Sequence, residues 1–228
     1  MLCIIQARMS SARLPGKTLK LLHGFPMLKY VIENIRRSKK IKKIIVATSS
    51  LKKDNHIVNF CKINKIDYFR GNLKNVASRF YYILKDKRYK AFVRISGDSP
   101  LIDYRLLDKI IKIYNNGNFD ICTNVMKRSF PKGQSIEVFS ASVFLQNYSK
   151  IRDSFYLEHV TNYFYKNYKK FKIFNLSSKI NYSQINLSID TKTDFKKINK
   201  LINITKGRYA SWQFYSKLYK EEFNDKKN

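Results

Sequence analysis

The sequence predicts an α/β fold with a doubly wound, mostly parallel β-sheet. Two observations support this prediction: short apolar runs alternate with stretches of helical periodicity in the first half of the chain, and 44% of the 228 residues are hydrophobic. Strand–helix alternation is typical of a parallel sheet that helices cover on both faces. The length suits one large domain, so we expect residues 1–228 to form a single unit.

Regular alternation marks the first half of the chain. Apolar runs predict strands at residues 2–7, 43–49, 67–71 and 90–96, and helical periodicity predicts helices at residues 26–39, 53–65, 77–84 and 103–114. In the first helix, Leu28, Val31 and Ile35 share one face, and Pro26 suits the first helical position. Because ligands bind beyond the carboxyl ends of parallel strands, the loops after the first and fourth strands are expected at the ligand-binding edge.

The second half of the chain is less regular. Its apolar runs predict strands at residues 119–125, 136–140, 170–176 and 185–190. Helical patterns occur at residues 154–168, 193–204 and 208–223, and we expect residues 224–228 to fray. This half supplies a small β-containing insertion to the predicted fold.

Composition narrows the class of protein. No run of about 18 apolar residues is present, so no membrane span is expected. The start, MLCIIQARMS, lacks a basic segment ahead of an apolar one, so we expect no signal peptide and a cytoplasmic protein. Cys3, Cys61 and Cys122 lie far apart, which indicates small buried apolar residues rather than a disulfide framework or a metal site.

The formal net charge of +30 suggests an anionic partner, such as nucleic acid, phosphates or an acidic surface. Lysines occur in nearly every segment, as in KKIKKI and KNYKKFK, and they form no single tail. We therefore favour solvated lysine faces over a nucleic-acid footprint. A basic nucleic-acid-binding protein is kept as the alternative of another class, and it predicts steeply salt-dependent binding.

The opening loop, SARLPGKT, almost matches the P-loop pattern, with Ser11 where the first glycine belongs. Pro15 removes an amide donor, and the next helix begins late, so we reject a P-loop. A looser phosphate-binding loop is favoured, because Arg8, Arg13 and Lys17 can make charge-assisted hydrogen bonds and Gly16 allows close backbone approach.

Aspartates follow two of the predicted strands. Asp98, in RISGDSPLID, and Asp190, in LSIDTKTDF, stand where a carboxylate can hold Mg²⁺ against substrate phosphates. For Asp98 the alternative is that it caps a turn. For Asp190 the sequence leaves both roles open, that of a Mg²⁺ ligand and that of a capping residue. Asp103 and Asp194 are interpreted as helix-start residues. Glu137, Glu158 and His159 are the notable polar groups of the second half, but they form no catalytic triad.

These motifs together resemble the cytidylyltransferases of the spore-coat polysaccharide type, relatives of the acylneuraminate and 3-deoxy-manno-octulosonate cytidylyltransferases. The likeness runs from Leu2 to about Ile204 and rests on seven motifs in the family's order: IIQARMSSARLPGKTL, IIVATS, FRGNLKNVASRFY, VRISGDSPLID, PKGQSIEVFS, EHVTNY and SIDTKTD. It implies a fold of the nucleotide-diphospho-sugar transferase type and CTP as the nucleotide. Gln134 and Ser135 depart from the family's common Leu-Asp, and DTKTD lacks its common proline.

The resemblance also implies roles for individual residues. Lys17, Arg8, Arg13 and Asp98 would be catalytic, and Asp98 with Asp190 would bind Mg²⁺. The nucleotide-binding set would be Ala7, Arg8, Ser11, Arg13, Gly16, Lys17, Thr48, Ser49, Arg70, Gly71 and Gly97, with Ala47 beside it. Residues 125–176 would cover the acceptor and form a homodimer contact. Arg94, Arg128, Lys132, Glu137 and His159 are the candidates for acceptor binding, and Glu137, His159 or a metal-bound water for the general base.

The predicted reaction is Mg²⁺-dependent transfer of CMP from CTP to an acidic sugar for surface polysaccharide or glycan, with release of pyrophosphate. A phosphorylated alcohol or sugar that gives a CDP-product is the alternative, because cationic side chains do not distinguish a carboxylate from a phosphate. The expected partners are thus CTP and a small acidic or phosphorylated acceptor, with no membrane and no nucleic acid.

Overall fold

The computed structural model describes residues 1–86 and 89–223. Within them the strands are β1 (Leu2–Gln6), β2 (Leu21–Leu22), β3 (Phe25–Pro26), β4 (Lys43–Ser49), β5 (Asp67–Gly71), β6 (Ala91–Ser96), β7 (Ile121–Thr123), β8 (Glu137–Ser140) and β9 (Ile173–Asn175). Seven of these form one sheet in the order β5-β4-β1-β6-β8-β7-β9, and β2 pairs with β3 in a small hairpin. Only β8 runs antiparallel to its neighbours in the described sheet, so the predicted mostly parallel sheet is confirmed.

Helices cover both faces of this sheet. They are α1 (Met27–Arg36), α2 (Asn55–Ile63), α3 (Val76–Leu84), α4 (Tyr104–Asn116), α5 (Ala141–Tyr148), α6 (Ser154–Glu158), α7 (Asn162–Lys166), α8 (Lys192–Ile204) and α9 (Trp212–Phe223). The side chains of alternate residues of β1 lie on opposite faces of the sheet. Cys3 packs in a core cluster with α1, α2 and α4, whereas Ile4 packs in another cluster with α3, α5 and α7. The doubly wound arrangement follows from this alternation.

Two predictions about the second half are wrong, and one helix there was not predicted. Residues 185–190 form no strand, and their only β-type pairing among the described residues is an isolated bridge between Asn186 and Lys132. The buried Ile185, Leu187 and Ile189 instead pack in a third core cluster against α8 and α9. The predicted helix at 154–168 is two short helices, since the backbone of His159 leaves the helical conformation. Helix α5, which Ser140 caps through its side chain, was not predicted.

The predicted helix starts and the predicted burial of the cysteines are confirmed. The carboxylate of Asp103 accepts a hydrogen bond from the backbone N–H of Arg105, and Thr191 and Asp194 form a capping box at the start of α8. All three cysteines are free and buried, and burial raises the pKa of the Cys61 thiol to about 12. No helix in the described ranges is long and apolar enough to cross a bilayer. The predicted fraying at 224–228 lies outside the described residues.

Candidate active site

A cavity of about 330 Å³ opens at the carboxyl ends of β1 and β6. Its lining residues come from the opening loop, the two strand ends, α3, the end of α6 and the segment before α8: Gln6, Ala7, Arg8, Ser11, Ala12, Arg13, Lys17, Thr18, Val76, Arg79, Ser96, Gly97, Asp98, Glu158, His159 and Asp190. Gly97, the residue after β6, lies so close to the end of β1 that an added Cβ would be 2.9 Å from the carbonyl oxygen of Gln6. Only glycine fits there without displacing the end of β1.

A tight turn shapes the opening loop. Gly16 has a φ of 70°, in the left-handed region that glycine tolerates, and its N–H donates to the carbonyl of Met9 at 2.9 Å. The hydroxyl of Thr18 donates to the carbonyl of Arg8 at 2.8 Å and closes the loop from its other end. The buried side chain of Leu14 anchors the middle of the loop. Lys17 is therefore directed inward, with only 11% of its side chain exposed.

The ammonium group of Lys17 lies between the two aspartates that the sequence singles out. Its Nζ lies 3.2 Å from Oδ2 of Asp98 and 2.9 Å from Oδ1 of Asp190, and it donates to the carbonyl of Ile189 at 2.6 Å. Arg13, mostly exposed, reaches the same Asp190 oxygen at 3.2 Å. Partial burial raises the pKa of Asp190, but the bond from Lys17 and the charges of Lys17 and Arg13 outweigh burial, so this pKa lies below its ordinary value.

This pair of carboxylates fits Mg²⁺. Asp98 and Asp190 both face one ammonium group, so both can reach a cation in that part of the cavity. Magnesium requires only one or two protein carboxylates, because water and substrate phosphates complete its shell. Within residues 1–86 and 89–223, no group of three or more His, Cys, Asp or Glu is placed to hold a metal ion, so a closed zinc-type site is not supported there.

Arg8 contacts a residue that lies 150 positions along the chain. Its guanidinium pairs with the carboxylate of Glu158 at 2.8 Å, and each side chain is about two-fifths exposed at the cavity wall. Helix α6 ends at Glu158, and His159, the next residue, also lines the cavity and packs against the ring of Phe155. The sequence marks Glu158 as a notable polar group but gives no indication of its pairing with Arg8.

Arg79 is a cavity residue that the sequence reasoning missed. It is 1% exposed, and its guanidinium donates to the carbonyls of Ala47 at 3.1 Å and Leu73 at 3.3 Å. Among the described residues, its Nε has no hydrogen-bond partner. Burial lowers the pKa of Arg79 to about 10, so the group stays charged at neutral pH. The motif FRGNLKNVASRFY contains Arg79, but helical periodicity alone does not distinguish it from a solvated residue.

The residues of the predicted nucleotide-binding set do not all line the cavity. Thr48 and Ser49 are fully buried, and the hydroxyl and amide of Ser49 both donate to Asp54. Arg70 donates to the carbonyls of Ser49 at 3.2 Å and Leu51 at 3.1 Å, so it fastens β5 to the loop after β4. Ala7, Ser11 and Gly97 of the same predicted set do line the cavity.

Of the five described residues predicted to bind the acceptor, His159 alone lines the cavity at the ends of β1 and β6. Arg94 forms an ion pair with the buried Glu137 and also donates to the Gln6 side chain at 3.0 Å. The hydroxyl of Tyr165 donates to Glu137 at 2.6 Å; burial, reinforced by the Glu137 charge, raises the pKa of that tyrosine well above 10.

The loop between β7 and β8 carries the remaining acceptor candidates. Arg128 donates to the hydroxyl of Ser135 at 3.1 Å, and Lys132 is exposed within electrostatic range of Asp190. Gln134 is fully buried and bonds the backbone of Leu101 and Asp103. Gln134, which departs from the family pattern, is therefore a residue that packs in the interior and supports the backbone. The acceptor contacts stay predictions.

Comparisons with known proteins agree with this geometry. A family model described as Cytidylyltransferase matches residues 2–222. An uncharacterized protein of Methanocaldococcus jannaschii is 38% identical over 85% of this chain and 79% of its own length. The spore coat polysaccharide biosynthesis protein SpsF of Bacillus subtilis is 31% identical over 88% and 85%. A 3-deoxy-manno-octulosonate cytidylyltransferase of Fusobacterium nucleatum is 31% identical over 59% and 54%.

Solved structures share the fold. A cytidylyltransferase from Leptospira borgpetersenii superposes with a TM-score of 0.90 at 30% identity, over 96% of this chain and 93% of that one. A CMP:2-keto-3-deoxy-manno-octonic acid synthetase complexed with CTP superposes with a TM-score of 0.67 at 16% identity, over 90% and 98%. The second likeness concerns the fold alone.

Proposed function

Because this chain belongs to the cytidylyltransferase family, we propose that it transfers CMP from CTP to an acidic sugar and releases pyrophosphate. The observation that carries the proposal is the position of Lys17 between Asp98 and Asp190, in a cavity that Arg8 and Arg13 also line. Cations and carboxylates on one cavity wall suit a triphosphate and its divalent metal.

In the proposed reaction, an oxygen of the acceptor attacks the α-phosphorus of CTP, and the bond to the β-phosphate breaks. Catalysis of such a transfer rests on positioning and on neutralisation of charge. Lys17, Arg13 and Arg8 would bind the phosphate oxygens that become pyrophosphate. Removing one such preorganised contact costs on the order of 100-fold or more in turnover.

Magnesium is the proposed cofactor. Asp98 and Asp190 would hold it, and the bound ion would supply positive charge to the phosphate oxygens. Lys17 contacts both carboxylates in the structure, so it keeps them paired until the triphosphate binds. The ammonium group would then turn from the carboxylates to the phosphates, which offer several more acceptor oxygens.

The acceptor is proposed to be an acidic sugar destined for surface polysaccharide or glycan. Two relatives support this choice: the spore coat polysaccharide protein and the 3-deoxy-manno-octulosonate cytidylyltransferase. In this chain, His159 at the cavity wall and the exposed Lys132 beyond it would face the acceptor. A phosphorylated acceptor would meet the same cations, so the experiment has to separate the two.

The test measures pyrophosphate release from CTP and Mg²⁺ with a panel of keto-acid sugars and phosphorylated polyols, and identifies products by mass spectrometry. We expect a CMP-sugar; a CDP-product would contradict the acidic-sugar acceptor but keep the nucleotide. Asp98→Asn is expected to lose about 100-fold or more in turnover. The matched control is Asp67→Asn, half-exposed on β5 and paired with Lys43, which should keep full activity. Full activity in a folded Asp98→Asn would overturn the metal assignment.

A further inference from the structure

Gln6 lies at the cavity wall, where β1 ends. Its carbonyl accepts a hydrogen bond from the N–H of Gly97, and its backbone pairs in register with Ala47 of β4 and Ser96 of β6. The sheet thus encloses the backbone on both sides, whereas the residue as a whole is partly exposed and lines the cavity. The exposed part of Gln6 is therefore its side chain.

The side-chain amide of Gln6 has a fixed orientation. Nε of Arg94 donates to Oε1 of Gln6 at 3.0 Å. Arginine carries only donors, so the oxygen of the amide has to face it and the NH₂ group has to point elsewhere. No described residue accepts a hydrogen bond from Nε2 of Gln6, and this atom is not one of the buried unpaired atoms in the described part of the chain. The NH₂ group is therefore an accessible donor at the cavity wall.

Arg94 is held in turn by residues of the second half of the chain. Its guanidinium pairs with Glu137 of β8, whose side chain is 2% exposed, and the hydroxyl of Tyr165 donates to the other oxygen of Glu137 at 2.6 Å. The charges of Arg94 and Glu137 balance each other, so Gln6 is supported as a donor without net charge. Glu137 and Tyr165 both belong to residues 125–176, the segment predicted to cover the acceptor.

Gln6 and Lys17 lie on different sides of the strand ends. Alternation along β1 places Gln6 on the same face as Ile4, which packs with α3, α5 and α7. Lys17 instead bonds the carbonyl of Ile189, which packs with α8, α9 and Met27 of α1, and α1 covers the opposite face of the sheet. The cavity thus spans the edge of the sheet, with the proposed metal site on one side and Gln6 on the other.

Resting on the proposed function, we propose that Gln6 is a specificity-determining residue whose Nε2 donates a hydrogen bond to an oxygen of the acceptor, and that Arg94 positions it. A hydroxyl or carboxylate oxygen of the acceptor supplies the lone pair that the described residues do not. A neutral donor suits such an oxygen, whereas the cations of the opening loop suit the phosphates of CTP. Arg94 and Glu137, which the sequence predicts to touch the acceptor, thereby act through Gln6.

The experiment measures CTP affinity and acceptor use separately. Calorimetry with CTP and Mg²⁺, without acceptor, gives the first. Pyrophosphate release with 3-deoxy-manno-octulosonate, then with the rest of the acceptor panel, gives kcat/KM for the second. Gln6→Met keeps the length of the side chain but has no donor, so we expect CTP affinity within about twofold of the wild type and a loss of about 10- to 100-fold in kcat/KM for the acceptor. Gln213→Met, at an exposed position of α9, is the matched control and should change neither.

Arg94→Lys tests the positioning role. Lysine keeps a charge for Glu137 but lacks the planar fork that fixes the amide of Gln6. We expect Arg94→Lys alone to lower kcat/KM for the acceptor, and to cost nothing further in the Gln6→Met background, since Arg94 acts through Gln6. Additive losses in the double variant would refute the positioning role, because an arginine that supports only the fold would harm both backgrounds alike.

Two results with Gln6→Met would overturn the proposal. Equal losses of CTP affinity and acceptor use would place Gln6 on the nucleotide or in the fold alone, and an unchanged kcat/KM for every acceptor would remove its role. If Gln6→Met does not fold, Gln6→Glu decides the question, because it keeps an oxygen for Arg94 and removes the donor. The expected loss is again larger for the acceptor than for CTP.

The same measurements separate this inference from the proposed function. A phosphorylated acceptor that gives a CDP-product, with a selective acceptor loss in Gln6→Met, would refute the acidic sugar and support Gln6. CMP-sugar formation that Gln6→Met leaves unchanged would refute the role of Gln6 and support the proposed function. No turnover with any acceptor would refute both.

Discussion

Replacing Gly133 with alanine tests whether the loop between β7 and β8 positions Asp190. Gly133 has a φ of 86°, and an added Cβ would lie 2.6 Å from the carbonyl carbon and oxygen of Leu187 and 2.8 Å from the amide nitrogen of Ser188. Backbone hydrogen bonds join Lys132 to both Ile185 and Leu187. The clash would therefore displace the segment that carries Asp190.

Gly24 is the matched control. Its φ is 82°, but a Cβ there would meet nothing within 4 Å. Both alanine variants thus incur the left-handed backbone penalty of about 1–2 kcal/mol, reduced by about 0.4–1 kcal/mol because alanine restricts the unfolded chain. Only Gly133→Ala adds overpacking against backbone, about 1–3 kcal/mol. The difference between the two free energies of unfolding isolates the clash.

Urea unfolding measures these free energies, and pyrophosphate release measures the effect on the site. We expect Gly133→Ala to be less stable than Gly24→Ala by about 1–3 kcal/mol, and to lose turnover that Gly24→Ala retains. Equal destabilisation of the two variants would refute the packing argument. A destabilised Gly133→Ala with full turnover would show that the loop does not position Asp190.

Three further variants test separate parts of the structure. Asp103→Ala should lower the free energy of unfolding by about 2–4 kcal/mol, because the buried carboxylate accepts bonds from two backbone amides, Trp212 included, and from a tyrosine hydroxyl; unchanged urea midpoints would contradict this. Above pH 10, folded Tyr165 keeps its proton while the unfolded chain releases it, so stability falls with rising pH. Tyr165→Phe should flatten that decline in urea unfolding between pH 9 and about 11, and an unchanged slope would refute it. Lys17→Met should lose about 100-fold in turnover yet bind Mg²⁺ alone more tightly by calorimetry, because its ammonium group no longer occupies both carboxylates; weaker Mg²⁺ binding would contradict this.

The sequence was sufficient to predict where the main polar groups of the site gather. Lys17, Asp98 and Asp190 belong to three motifs spread over 174 residues, and the structure joins them through one ammonium group. Parallel strands end at a common edge, so Lys17 and Asp98, which follow β1 and β6, are close in space whatever their separation in the chain. Asp190 joins them although the strand predicted before it does not form. The roles of these residues in catalysis stay predictions.

Contacts that depend on tertiary packing were not predictable from local patterns. The pairing of Arg8 with Glu158 requires the position of α6, and the interpretation of 154–168 as one helix hid its end at Glu158. Arg79 lies in a helix, and helical periodicity indicates only which side of the helix is apolar. It therefore did not predict that the Arg79 side chain is buried at the cavity. Residues 185–190 alternate as a strand does, but the same alternation also suits an extended segment packed against α8 and α9.

The central claim is that the opening loop and the two aspartates form one site for CTP. The most direct measurement is pyrophosphate release from each of the four ribonucleoside triphosphates, with Mg²⁺ and the full acceptor panel, alongside thermal stabilisation by each nucleotide. We expect turnover with CTP above that with the other three nucleotides, and thermal stabilisation by CTP. No turnover with any acceptor and no stabilisation by CTP, or turnover with a different nucleotide, would contradict it.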